Sequence, residues 1–432
     1  MPQSQCASIQ RAHSEHGGCR QRKIYVKRQV MDADQMQEHG PQDEQRILSI
    51  STASDCVVHD TKIVRPSTHV FIVGVGHYPY FIDGGPDSFE EAELGQLSSP
   101  PVSARALARW FIDEYHYPPA PLGSVALLIS DDTNVPFETA SGNWVVPKPD
   151  YENFAKAADA WFERGNTDES NRLVFVFCGH GYGQGRISSL LMSDFNFKSR
   201  ARWDSALDLG AFVSGMATCA AAEQIYFIDT CRRPHGALLA PDAAIGRTPV
   251  HAKADPREGF KTRVNAPLIF STGDELPALA PEDGVSIFTA AFLKSMRGMA
   301  ARDDNGETDW RVNNYSLLEA MAHESIRLTS PHFKTPQQPQ SGEARAFDFH
   351  YLRENPVSPV YLVRTGGEAC GPGDIHYELR GKPQIRSCNA NDYEIELELP
   401  FGRYSFTLKQ GEIEIAKTQQ RSAPTWKRAS LT

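Results

Sequence analysis

Apolar residues in this chain fall into short unbroken runs separated by stretches of helical period. The first run is THVFIVGVGHYP, where Val70, Phe71, Ile72, Val73 and Val75 end in glycine and turn residues. Such a run suits a strand buried on both faces, as in a parallel sheet covered by helices. VSARALARWFIDEYH follows, with Ala104, Leu107, Ala108 and Phe111 on one helical face. SVALLISDD is read as a second strand and YENFAKAADAWFERG as a second helix. NRLVFVFCGHG, EQIYFIDTCRRP and NAPLIFSTG complete five strands. GVSIFTAAFLKSMRG and NYSLLEAMAHESIRL read as further helices, and HFKTPQQPQSG as irregular. Strand alternating with helix predicts an α/β domain with a mainly parallel central sheet and helices on both faces.

The two ends follow different rules. Residues 1–65 are rich in Gln, Asp, Arg and His without a sustained period, and are read as a polar, disordered leader with a short strand at KIYVKRQV. The α/β domain is expected over 66–352. From Pro356 the pattern changes to short alternating strands: PVYLVR, DIHYELR, YEIELELP, RYSFTLK and EIEIAK. In YEIELELP, Tyr393, Ile395, Leu397 and Leu399 alternate with acids, as in a strand with one face in water. Residues 356–432 are therefore expected to form a small C-terminal β-sandwich-like domain.

Composition narrows the function classes. The chain has 432 residues and a net charge of −10, which argues against a general nucleic-acid binder. No run reaches the roughly 18 apolar residues that would span a bilayer. The opening residues lack the apolar core of a secretory signal, so a reducing cytoplasm is the expected compartment. Eight scattered cysteines agree with it. Cys6, His13, His16 and Cys19 match no common zinc spacing, and Cys370 and Cys388 are read as free thiols.

In open α/β sheets, ligands bind beyond the carboxyl ends of the strands. Two strands carry reactive side chains to that edge. LVFVFCGHG places His180 just past its end, between Gly179 and Gly181, and QIYFIDTCRRP places Cys231 past the next. Cys178 and Cys219 are read as small buried hydrophobes. His77 also follows a strand, but no His-Gly turn surrounds it.

The order of these features resembles the caspases, metacaspases and bacterial caspase-like peptidases over about residues 65 to 352. The resemblance rests on VFIVGVGHYP, on the strand ending in His-Gly and on the strand ending in acid-x-Cys. STGDELPALAPEDGVSIFTAAFLKSM and ARDDNGETDWRVNNYSLLEAM continue it. His180 and Cys231 stand 51 positions apart, against about 50 in caspases. The resemblance implies a caspase-like sandwich and a cysteine endopeptidase. Cys231 would attack the scissile carbonyl to form an acyl-enzyme. His180 would protonate the leaving amine and later activate water. The N–H groups of Gly181 and Cys231 would form the oxyanion hole, each worth about 3 kcal/mol.

Asp229 stands two residues before the cysteine, where caspases that cleave after Asp carry Gln and metacaspases carry Asp. The resemblance therefore implies substrate binding by Asp229 and cleavage after Arg or Lys. The bland reading is an acid at a strand end, paired with Arg232 or Arg233. Metacaspases usually add a second pocket Asp at the start of the first helix. Here LSSPPVSARAL places Ser103 at that position, with Asp87, Glu90 and Glu91 in the loop before it.

Other classes fit less well. GVGHYP lacks the third glycine of a dinucleotide loop, and no GxSxG elbow is present. DDNGETDW does not extend into the ligand set of an EF-hand. No cofactor or metal is expected, and calcium dependence, frequent among metacaspases, is left open. The alternative function is a caspase-fold scaffold or regulatory binding protein without significant peptidase activity. Expected partners are protein substrates and a regulatory or activating protein at the C-terminal domain, with no nucleic acid or membrane. The long loop after Cys231 carries Arg247, Lys253, Arg257, Lys261 and Arg263, which makes it a candidate for self-cleavage.

Overall fold

The computed structural model describes residues 50–52, 56–62, 66–88, 94–131, 133, 135–184, 187–197, 199–232, 246–251, 264–273, 276–303, 306, 309–342 and 344–432. The strand expected at KIYVKRQV and the Cys6, His13, His16, Cys19 group lie outside them.

The chain runs through β1 (Val57–Asp60), β2 (Thr68–Val75), α1 (Ser99–Asp113), β3 (Leu122–Ser130), α2 (Tyr151–Gly165) and β4 (Arg172–Cys178). Three short strands follow, β5 (Gly181–Gln184), β6 (Ile187–Leu191) and β7 (Ala206–Asp208), then α3 (Leu209–Met216) and β8 (Glu223–Asp229). The α/β part ends with β9 (Leu268–Phe270), α4 (Ile287–Lys294), α5 (Asn314–Thr329) and β10 (Gln340–Ser341). The central sheet has the order β10-β9-β8-β4-β2-β3-β1. Strands β9, β8, β4, β2 and β3 are mutually parallel, and β10 and β1 pair antiparallel at the two edges.

The continuous apolar runs are explained by cover on both faces. Phe71, Val73 and Val75 of β2 pack with Phe154 and Trp161 of α2 and Phe212 of α3. Their alternates Val70 and Ile72 pack with Leu107, Trp110 and Phe111 of α1, Phe292 of α4 and Leu317 of α5. Local signals set the helix starts. Pro100 and Pro101 occupy the first turn of α1, where the missing N–H costs nothing. The carboxylate of Asp150 caps α2 by accepting from Asn153 N–H at 2.7 Å.

The bound expected for the leader is corrected. The sequence pattern runs the leader to residue 65, yet β1 lies inside it, pairs with β3 and buries Val58 completely. Ile50–Thr52 also pairs, in parallel, with Gly142–Val145. A four-residue edge strand with one inward apolar side chain is too short to show a period. Between β4 and β8, where the sequence pattern assigns no element, lie β5, β6, β7 and α3, each eight residues or fewer.

Beyond Pro356 come β11 (Val357–Arg364), β12 (Gly373–Leu379), β13 (Lys382–Cys388), β14 (Glu394–Pro400), β15 (Gly402–Gln410), β16 (Ile413–Ser422) and β17 (Lys427–Leu431). They form a three-stranded sheet, β14-β11-β17, and a four-stranded sheet, β13-β12-β15-β16. Val360, Leu362, Ile375, Leu397, Phe406 and Leu408 share one apolar cluster between them. The acids of β14 are not simply in water, as the alternation suggested. Glu396 pairs with Lys294 of α4 and, at 2.9 Å, with Arg327 of α5; both cations also hold the buried Glu324. His323 stacks on Trp426, with ring centroids 4.5 Å apart, and Trp310 packs on Phe401. Gly298, at φ 141°, lies so close to Val357 N that a Cβ there would sit 2.4 Å from it. The C-terminal strands are thus fastened to the α4–α5 face at several points. Among the described residues, no helix is long and apolar enough to cross a membrane.

Candidate active site

The site is built on the parallel register of β4 and β8. Cys178 pairs with Asp229, so His180 and Cys231 each emerge two residues beyond the same register pair, at the carboxyl edge of adjacent strands. Gly179 N–H donates to Asp229 C=O at 3.2 Å and ties the two exits together. Both side chains are buried, His180 to 3% exposure and Cys231 to 6%.

His180 is held from three directions. Its main-chain N–H donates to Tyr78 Oη at 2.8 Å. Nε2 lies 2.8 Å from Gly95 C=O. A carbonyl oxygen only accepts, so Nε2 carries the proton and Nδ1 is the basic nitrogen. The rings of Tyr78 and Phe81 flank the imidazole at 5.0 and 5.6 Å between centroids. Gln96 fixes the Tyr78 turn, its Oε1 accepting from Tyr78 N–H and its Nε2 donating to the carbonyls of Tyr78 and Ile82. His77 turns elsewhere, placing Nε2 3.1 Å from Gly84 C=O.

Gly181 follows directly and begins β5, paired with Leu190. Leu191 N–H donates to His180 C=O at 3.0 Å, which makes His180–Leu191 the hydrogen-bonded position of this ladder. In antiparallel alternation the next pair is non-hydrogen-bonded, so Gly181 N–H points away from β6. A Cβ on Gly181 would stand 2.7 Å from Thr230 Cβ and Oγ1 and 3.0 Å from Cys231 O. Only glycine allows the His-Gly turn to lie this close to the cysteine backbone.

Cys231 Sγ accepts from Ala278 N–H at 3.3 Å. The segment carrying Ala278 is anchored on both sides. Arg232 N–H donates to Leu276 C=O at 3.3 Å, and Leu279 N–H donates to Gln337 Oε1 at 2.8 Å. Gln337 is buried and also donates to Ser271 C=O. Sequence reasoning missed Gln337, because it sits in the Pro- and Gln-rich stretch read as irregular. It also missed Tyr78, Gly95 and Ala278, of which the last two act through main-chain atoms. Cys178 and Cys219 are buried thiols whose pKa is pushed up by desolvation. Cys370 and Cys388 are free thiols.

Asp229 is 6% exposed, and burial raises its pKa to about 6 against the hydrogen bond of Ser286. Ser286 Oγ donates to Asp229 Oδ2 at 2.5 Å and accepts from Thr289 N–H at 3.0 Å as the cap of α4. Ser286 N–H in turn donates to Ser103 Oγ at 2.9 Å. Ser103 is thus brought to the Asp229 group. Arg232 does not pair with Asp229; its guanidinium lies over the Phe270 ring at 4.2 Å. Asp87 is exposed, and Arg233, Glu90 and Glu91 lie outside the described residues.

Of the basic residues in the loop after Cys231, Arg247 is described, and it is anchored. Its N–H donates to Ala206 C=O and its C=O accepts from Asp208 N–H, both at 2.9 Å. The guanidinium covers the Tyr151 ring at 4.0 Å. A residue whose main chain is paired in this way is a poor cleavage site. Lys253, Arg257, Lys261 and Arg263 lie outside the described residues. A cleft of about 1270 Å³ lies away from the two strand ends, between α4, α5 and β14, and is lined by paired charges such as Lys294, Glu324 and Glu396. Among the described residues, no three His, Cys, Asp or Glu side chains gather as a metal would require.

An uncharacterized protein of Sinorhizobium fredii, y4kE, is 32% identical over 217 residues. The match covers 49% of this chain and 59% of that protein, so the chain spans less than two thirds of its relative's length. Caspase-1 from Spodoptera frugiperda aligns with a TM-score of 0.38 at 13% identity, over 67% of this chain and 91% of that one. No protein-family model matches the chain.

Proposed function

We propose that the chain is a caspase-like cysteine endopeptidase that cleaves protein substrates after basic residues. The observation that carries this reading is the shared exit of His180 and Cys231, two residues past one register pair, with Gly181 pressed against the Cys231 backbone. A thiol, an imidazole with a fixed tautomer and a freely directed glycine N–H at one sheet edge are the parts that acyl transfer needs.

In this reading Cys231 Sγ attacks the scissile carbonyl carbon, and the C–N bond breaks to leave a thioester. His180 Nδ1 holds the thiol proton and delivers it to the departing amine. It then takes a proton from water, whose oxygen displaces the thiolate. Gly95 C=O keeps Nε2 protonated and the ring in place throughout, a positioning role. The N–H groups of Gly181 and Cys231 receive the carbonyl oxygen as it becomes negative. Asp229 selects the side chain before the cleaved bond.

The cover over the thiol, with Ala278 N–H on Sγ, favours the second reading, a caspase-fold regulator without turnover. A peptide electrophile with lysine or arginine at the reactive position separates the two. Peptidase chemistry predicts a single adduct, mapped by mass spectrometry to Cys231 and absent after His180→Ala. No adduct on Cys231 at any pH between 6 and 9 would leave the regulatory reading.

A further inference from the structure

We infer that Ser103 and Ser286 join Asp229 in selecting the side chain at the cleaved position, and that the three together favour lysine over arginine. The inference rests on the proposed role of Asp229 as the selecting acid.

Asp229 is buried beside the candidate nucleophile, and among the described residues no cation is paired with it. A buried carboxylate without a cation is an incomplete ion pair, costly to keep unless something positive completes it. Its polar surroundings are hydroxyls. Ser286 Oγ occupies one position on Oδ2 at 2.5 Å, and the neighbouring Ser271 hydroxyl donates to Thr230 C=O at 3.3 Å. Ser286 is fixed in turn, through Oγ by Thr289 N–H and through its own N–H by Ser103 Oγ. Ser103 is fully buried on α1 and has Ser99 Oγ at 3.5 Å. The acid is therefore held by a connected set from α1 and the cap of α4.

That set decides between the two basic side chains. Arginine binds a carboxylate best through two parallel bonds to both oxygens in one plane, whereas lysine is a compact charge with rotatable donors. A hydroxyl that already occupies an acceptor position on Oδ2 leaves a poor partner for the planar fork. An ammonium needs only one carboxylate position, and hydroxyl oxygens nearby accept its remaining hydrogens.

The test uses the full chain carrying Cys231→Ala and titrates matched peptides ending in lysine, arginine or norleucine by calorimetry. Lysine should bind about fivefold or more tighter than arginine, and norleucine weakest. Ser286→Ala or Ser103→Ala added to that background should bring lysine and arginine within about twofold, while Ser286→Thr, which keeps a hydroxyl and a cap, should restore the preference. With Cys231 intact, the same ratios should appear in kcat/KM on matched substrates. Arginine binding as well as lysine, or a ratio unmoved in both alanine variants, would overturn the inference. Selective lysine binding without any turnover by the intact chain would overturn the peptidase reading and leave the selection by Ser103, Ser286 and Asp229 standing.

Discussion

The phenolic hydroxyl of Tyr78 is inserted between His180 and Leu191. It accepts the His180 N–H at 2.8 Å and donates to Leu191 C=O at 3.3 Å. The two main-chain groups would otherwise bond each other across the β5–β6 ladder, so one side chain from the end of β2 fixes where the imidazole leaves its strand. Tyr78→Phe keeps the ring packing and leaves both groups buried without this partner. Stability to urea should fall by ~1–3 kcal/mol, and kcat should fall while KM for a basic substrate stays nearly constant. Unchanged stability would mean that the ladder closes without the hydroxyl.

Gly181 tests the approach of the two strand ends. The Cβ of Gly181→Ala would stand 2.7 Å from Thr230 Cβ and Oγ1, and relief requires the His-Gly turn to move off Thr230 and Cys231. Turnover should fall by about 100-fold or more, as for loss of an oxyanion donor, with a smaller loss of thermal stability. Turnover within about threefold of wild type would remove Gly181 N–H from the mechanism.

The pKa of Asp229 fixes the sign of a stability effect. The folded chain holds this proton up to about pH 6, whereas the unfolded chain releases it near the ordinary aspartate value of 3.8. Between those values the folded state binds more protons, so rising pH weakens the fold, and the penalty is complete above pH 6. Asp229→Asn carries no such penalty. It should match wild type near pH 4 and exceed it by ~1–3 kcal/mol at pH 8, measured as urea midpoints at both pH values. Turnover of basic substrates by the wild type should fall below pH 6 as the acid is neutralised. A variant less stable than wild type at pH 8 would contradict the assignment of Asp229 as an unpaired buried acid.

The C-terminal strands are bound to the α/β body through Lys294, Arg327 and Glu396, through His323 on Trp426 and through Trp310 on Phe401. Truncation after Asn355 uncovers these groups and should abolish soluble expression. Lys294→Met, which removes one cation from Glu324 and Glu396, should lower stability by about 3 kcal/mol. A soluble truncated chain with full hydrolysis of short peptides would instead assign the region to recruitment.

The central strands, and the positions of His180 and Cys231 just past two of them, were legible because the unbroken apolar runs stop at Cys178 and Ile228. The companions of that pair were not. Gly95 and Ala278 contribute main-chain atoms, which leave no residue-type signature. Gln337 works from a stretch with no period, and Ser286 resembles any helix cap until its hydroxyl is seen on Asp229. Val57–Asp60 was assigned to the leader because four residues cannot display an alternation. Residues that bond across long sequence separations carry information that periodicity does not hold.

In the proposed reaction Cys231 and His180 act together on a peptide bond. Its most direct test is kcat/KM for a fluorogenic peptide with lysine before the cleaved bond, measured for wild type, Cys231→Ala and His180→Ala, with circular dichroism melts as the control for folding. Turnover is expected in the wild type, with a loss of at least about 1000-fold, ~4 kcal/mol of barrier, in each folded variant. Turnover within about tenfold of wild type in either variant, or none in the wild type across a library of such peptides, would contradict it.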